Sequence, residues 1–294
     1  MKEILILATS QHKKTEIEKA VSYLFKNRKQ ISTKILTYKD ICIEIEKNQV
    51  KIFDSQGNDI KKYSLVYFFN RADFMYMALA IAQYLNKHKV KFIDNELGCQ
   101  FSINKLNSFL RLCYGDIPVI NSFYASPQYL LDTFEYKPVY EYPFIMKDLM
   151  GRKGNNNFLI KSYAELKEVL TKNLEMTFVI QPFIENNCDY RILTFDFKAK
   201  LIIKRSRTNN QTHLNNTSVG GCAEIVSMKI FDKKIIQIAQ KASKVLKRNI
   251  AGVDILIDKQ GKCFVLEVNP SPQLLTGSFL VEKGDLLKKY LLSK

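Results

Sequence analysis

Short aliphatic and β-branched runs alternate with amphipathic stretches through the first third of the chain. "EILILAT" (3–9), "TKILTY" (33–38), "SLVYFFN" (64–70) and "VKFIDN" (90–95) have strand composition, and "CIEIEKNQVKIFD" (42–54) reads as further short strands. Residues 13–27 put Ile17, Ala20, Val21 and Leu24 on one helical face, and 73–87 form a second helical pattern opened by Asp73. Strand–helix–strand alternation predicts a small parallel α/β domain over residues 1–97. It carries no GxGxxG at its first turn, which argues against a dinucleotide site there.

The pattern then changes. A helix is expected over 99–113 and a short one from Pro127 to about Phe134. "YPFIMKDLMGRKGNNNFLIKS" (142–162) reads as strand, Gly/Asn-rich loop and strand, and Ser162 with Glu165 forms a capping box for the helix that follows. "TFVIQPFIE" (177–185) is a strand running into a loop, and 190–207 is a hairpin about Asp196 to Lys200. Residues 231–248 form an amphipathic helix with Ile235, Ile238, Ala239, Ala242, Val245 and Leu246 inward, and a further helix ends the chain. No repeat and no low-complexity segment interrupts this order.

"AGVDILIDKQGKCFVLEVNPSP" (251–272) raises a chemical question. A two-residue turn at Gln260-Gly261 makes it a β-hairpin in which Asp258 faces Cys263, Leu256 faces Val265 and Asp254 faces Glu267. Asn269 then shares the Glu267 face, while Ile255, Ile257, Phe264, Leu266 and Val268 form a core face. Like charges across a ladder destabilise it, so a positive party is expected between Asp254 and Glu267. It is either a divalent cation or nearby Lys and Arg side chains. Hard oxygen donors without His or Cys suit Mg²⁺ or Mn²⁺ rather than zinc.

Other segments carry weaker signals. Lys147 sits on the strand before "GRKGNNN", where a lysine beside a flexible loop can hold phosphate, although the chain has no GxxxxGK[ST]. "QPFIE" leaves its strand at Pro182, exposing backbone groups suited to a purine edge or forming a plain turn. "DYR" puts Asp189 and Arg191 on one strand face, with Arg205, Arg207, Asn215 and Asn216 farther on before a double glycine. Guanidinium groups match carboxylate or phosphate by paired bonds, or simply pair with surface acids.

Bulk properties narrow the class. The hydrophobic fraction of 46% over 294 residues is that of a globular protein. No apolar run reaches membrane-spanning length, and the N-terminal stretch lacks the pattern of a signal peptide. Six cysteines without a CxxC pair read as reduced core residues of a cytoplasmic protein. The net charge of +16 is open to three readings: a solvated lysine-rich surface, a basic cleft that steers anionic substrates inward, or nucleic-acid binding. The third is the weakest, since no long basic block or nucleic-acid motif is present.

Taken in order, Lys147, the glycine loop, "QPFIE", "DYR", "KR", "NNTSVGG", "AGVDIL" and "LEVNPSP" resemble the ATP-grasp superfamily, and within it the RimK-type amino-acid ligases. The resemblance covers about residues 100–275 and implies an α/β (α+β) ATP-grasp fold. In that fold an N-terminal pre-ATP-grasp domain (1–97) precedes a central and small subdomain carrying the phosphate-covering loop (98–178) and a C-terminal subdomain with the metal site (179–294). It implies ATP phosphates at Lys105 and Lys147, and an adenine pocket at Gln181, Pro182, Phe183 and Ile184. Asp189 would belong to the nucleotide pocket, and Arg205 would hold the carboxylate and its acyl phosphate. Asp254, Glu267 and Asn269 would bind Mg²⁺ or Mn²⁺, as one ion or two, with Asn216 close to phosphate and metal. The implied catalytic set is therefore Arg205, Asp189 and Asn216.

The implied reaction is ATP-dependent carboxylate–amine ligation, with an amino acid or peptide as substrate, an acidic peptide or protein among the acceptors, and self-association a common trait of similar proteins. The chain departs from the family pattern at Leu214, where an arginine is usual, at Gln273, where a glycine is usual, and in a loop that keeps only two glycines. The first two departures bear on the acceptor. Rival readings are a precursor-peptide-modifying ligase or macrocyclase, a non-catalytic ATP- or nucleic-acid-binding protein, and a kinase.

Overall fold

A computed structural model of the chain describes residues 2–25, 31–99, 104–149, 156–207 and 221–294. The first region holds β1 (Lys2–Ala8), α1 (Gln11–Phe25), β2 (Ile31–Thr37), β3 (Ile41–Glu46), β4 (Gln49–Asp54), β5 (Leu65–Phe68), α2 (Met75–Lys87) and β6 (Lys91–Ile93). Its main sheet, ordered β2-β1-β5-β6, is parallel throughout, as the alternating pattern predicts. Parallel strands are covered on both faces. Leu5, Leu7, Val66 and Phe68 accordingly pack toward α2, while Ile4, Ile6 and Ala8 face the other way, toward α1 and the C-terminal region. Strands β3 and β4 form a separate hairpin.

The middle region holds α3 (Lys105–Tyr114), β7 (Phe123–Ala125), α4 (Pro127–Thr133), β8 (Phe144–Asp148), β9 (Asn157–Ile160), α5 (Tyr163–Lys172) and β10 (Phe178–Pro182). Helix α3 starts later than its apolar pattern suggests because the Asn104 side chain caps it, accepting from the Asn107 N–H at 2.7 Å. The Ser162 cap on α5 is present, but the Glu165 carboxylate accepts from the Lys161 N–H rather than completing a capping box. The antiparallel sheet β7-β10-β8-β9 buries Phe144, Met146, Phe178 and Ile180 under α4 and α5. Its opposite face, with Ile145, Lys147, Val179 and Gln181, is left for a cleft.

The last region holds β11 (Cys188–Phe195), β12 (Lys198–Ser206), β13 (Cys222–Val226), α6 (Lys233–Val245), β14 (Ile250–Ile257), β15 (Cys263–Asn269) and α7 (Leu280–Ser293). The strands form one antiparallel sheet, β13-β12-β11-β14-β15. Its far face packs on α3 and α6. At one end of its near face, Leu193, Phe195, Leu201 and Ile203 join the first sheet, α1 and α7 in a common core.

Two further expectations fail. The β14–β15 loop has three residues: the Asp258 N–H donates to the Lys262 carbonyl at 2.9 Å, and Gly261 takes φ +81°. That shifts the outer register to Leu256↔Phe264, and a bulge restores Asp254↔Glu267. In consequence Leu266 lines the cleft beside Glu267, while Val265 is the buried core residue. The cysteines are free, but none is buried, and Cys42, Cys113 and Cys222 are exposed. They are therefore not buried core residues, although half-buried Cys263 packs against the core of the C-terminal sheet. No described helix is long and apolar enough to cross a membrane.

Candidate active site

The middle and C-terminal sheets face each other across a cleft of about 940 Å³ that continues to the N-terminal region at Ser10, Asn70 and Arg71. Sheet register explains how distant residues meet on its C-terminal wall. Asp189 lies opposite Arg205, Arg191 opposite Asp254, and Asp254 opposite Glu267. Alternation puts all five side chains and Asn269 on the cleft face.

Arg191 grips Asp254 with two parallel bonds, Nε to Oδ1 at 2.8 Å and Nη2 to Oδ2 at 2.7 Å. Arg205 lies between two carboxylates, with Nε at 2.5 Å from Asp189 Oδ1 and Nη2 at 3.2 Å from Asp254 Oδ2. Burial pushes the Asp254 carboxyl up, but the Arg191 and Arg205 guanidiniums outweigh it and hold it below the ordinary carboxylate range. Burial raises Asp189, and Arg205 only partly offsets it. The positive party beside Asp254 is thus a pair of arginines.

Metal-binding capacity nonetheless remains. A carboxylate offers about four lone-pair positions, and the two arginines take three on Asp254, leaving one on Oδ1. Glu267 is exposed and has no hydrogen bond or ion pair among the described residues. Asn269 Oδ1 accepts from the Ser271 N–H at 2.9 Å and keeps a second lone pair. Two carboxylates and an amide oxygen on one face fit a hard divalent cation.

The facing wall supplies cations. Lys147 Nζ donates to Gln181 Oε1 at 2.9 Å, and burial lowers its pKa to about 8, Glu267 opposing that shift and Lys105 adding to it. Lys105, the first residue of α3, donates to the Asp148 carbonyl at 3.1 Å. Pro182, Phe183 and Ile184 line the cleft where β10 ends. Asn216, Leu214 and Gly220 of the double glycine lie outside the described residues, as do 151–155 of the glycine loop. The described lining holds six basic and six acidic side chains, so the +16 charge is not concentrated in this part of the cleft.

Sequence reasoning left Arg191 without a role, although its place two residues after Asp189 is the signal that puts it on the same face. It also missed Leu266, which only the bulge reveals, and Ser122, whose hydroxyl accepts from Gln181 Nε2 at 2.8 Å.

Residues 102–288 match the RimK-like ATP-grasp domain. The chain belongs to the RimK-like ATP-grasp family. An uncharacterized Mycoplasma genitalium protein, MG012, is 25% identical over 240 residues, 77% of this chain and 82% of that protein. A probable alpha-L-glutamate ligase of Pasteurella multocida is 28% identical over 203 residues, 67% of this chain. That match spans 62% of the Pasteurella protein, so this RimK-like chain covers less than two thirds of its length. Among solved structures, the ATP-grasp ligase PsnB complexed with a minimal precursor superposes with a TM-score of 0.69 at 14% identity, covering 99% of this chain and 98% of PsnB. D-alanyl-alanine synthetase A from Vibrio cholerae gives 0.69 at 11% identity, covering 99% and 96%. At such identities these likenesses establish the fold, an ATP-grasp architecture of mixed α/β type.

Proposed function

We propose that the chain is an ATP-dependent carboxylate–amine ligase. The observation that carries this reading is the Asp189–Arg205–Asp254–Arg191 row, with Glu267 and Asn269 beside it, facing Lys105 and Lys147 across the cleft. In the proposed reaction a substrate carboxylate attacks the γ-phosphate of ATP, giving an acyl phosphate and ADP. An amine then attacks the acyl carbon, and an amide and inorganic phosphate result. Lys105 and Lys147 would hold the nucleotide phosphates, and Gln181 to Ile184 would border the base. Arg205, with N–H groups left after its two carboxylate bonds, would hold the substrate carboxylate and then its acyl phosphate. Asp254, Glu267 and Asn269 would hold Mg²⁺ or Mn²⁺, whose contribution is to neutralise phosphate charge. Asn216 is proposed to lie near phosphate and metal. The division at 97/98 and 178/179 serves as a working domain map, with α7 packing back on the first sheet.

Relatives described as probable alpha-L-glutamate ligases support an amino acid as one substrate. A peptide acceptor is the second reading, supported by the extension of the cleft to the N-terminal wall and by fold neighbours solved with precursor peptides. The test is phosphate release from Mg-ATP against a panel of amino acids and acidic peptides, with mass spectrometry of the products. Release coupled to a mass gain on one member is expected, and no coupled product from any member would overturn the ligase reading.

A further inference from the structure

One buried amide lies at the cleft end of β10, that of Gln181. It is 2% exposed, and both ends of its amide are engaged. An ammonium can only donate, so the atom facing Lys147 at 2.9 Å is the amide oxygen. The amide nitrogen must then face Ser122, whose Oγ accepts at 2.8 Å while its own proton goes to the Ile120 carbonyl at 2.9 Å. Every donor in this row has one acceptor, and the direction of each bond follows from the next.

The sheet builds the row. Val179 pairs with Lys147 in β10–β8, which places Gln181 diagonally across from Lys147 on the cleft face. Ile180 pairs with Phe123, which brings Ser122 alongside Gln181. Lys147 spends one of three N–H groups on Gln181 and keeps two. A lysine stem is flexible, and fixing it beforehand removes rotamer freedom that a ligand would otherwise have to freeze.

We infer that Gln181, oriented by Ser122, is a positioning residue that aims Lys147 at the nucleotide phosphates. The inference rests on the proposed nucleotide site, and ADP and adenosine serve as probes that separate the two. Calorimetry of the full chain should show ADP binding about three- to tenfold weaker in Ser122→Ala, with adenosine affinity within about twofold of the parent. Ser122→Thr, which keeps the hydroxyl, should restore ADP affinity. Gln181→Met should lose about tenfold or more for ADP. Ser122 is solvent-exposed, so its variants test the row even where Gln181→Met fails to fold. Equal losses for ADP and adenosine, no change in Ser122→Ala, or a loss that Thr does not restore would overturn the inference. A parent chain that binds no ADP would instead overturn the nucleotide site itself.

Discussion

The molecule contains two arginine–carboxylate clusters that look alike as contact lists and differ in what they leave free. In the joint between the N-terminal region and the rest, Glu96 is fully buried and loaded on both oxygens. Oε1 takes Arg111 Nη1 at 3.1 Å and Arg248 Nη2 at 3.0 Å, while Oε2 takes Arg248 Nε at 2.7 Å and Arg71 Nη2 at 3.5 Å. Asp94 takes Arg71 and the Ile250 N–H, and Arg248 also reaches the Val268 carbonyl. No lone pair remains on Glu96 for a ligand. At the cleft, Asp254 keeps one position, and Glu267 is exposed with none taken by a described side chain. Saturation out of solvent makes a structural joint, whereas unused valence at a solvent boundary makes a site.

The largest expected effect breaks the joint. Glu96→Gln leaves three arginines facing one neutral amide, and chemical denaturation should show a loss of about 3–5 kcal/mol. The same change in the cleft should act differently. Glu267→Gln should lower metal-dependent ATP turnover by more than about 100-fold while stability stays within about 0.5 kcal/mol, because Glu267 is exposed and carries no ion pair among the described residues. Unchanged turnover in Glu267→Gln would remove the metal assignment.

Lys283 sharpens the comparison as a buried cation with neutral hydrogen-bond partners. Its ammonium donates to the Gln273 and Thr276 carbonyls at 2.8 and 2.6 Å, and burial lowers its pKa to about 8, with Arg191 adding to that. A lysine depressed in the native state binds fewer protons there than when unfolded, so stability rises with pH between the two values. Relative to Lys283→Met, the parent should therefore gain about 2 kcal/mol from pH 8 to pH 10.5 in denaturation curves. A flat difference would show that this ammonium is better solvated than its burial suggests.

The smallest effect concerns Lys147, also lowered to about 8 by burial. Phosphate binding needs its charged form, so metal-free ADP affinity should hold below pH 8 and fall by up to about tenfold per unit above it. Calorimetry between pH 7 and 9.5 checks this, and a level profile would free Lys147 from phosphate contact.

Strand and helix order, the parallel first sheet and the Asp254–Glu267 pairing were legible in the sequence, because periodicity and β-branched composition are local properties of the chain. The motifs named Lys147, Asp189, Arg205, Asp254 and Glu267 because each sits inside a distinctive local string. What neutralises Asp254 was not legible. Arg191 is 63 residues away and meets it only through the β11–β14 register. Nor was the Glu96 joint, whose Arg248 lies 152 residues away. The side on which Leu266 falls depends on one bulge, and a one-residue shift in register moves a side chain to the other face. The sequence by itself determined which groups could carry charge and where the backbone would extend or coil. Only the tertiary structure decided which charges saturate one another and which keep a lone pair, because ion pairing depends on distance and burial rather than on order along the chain.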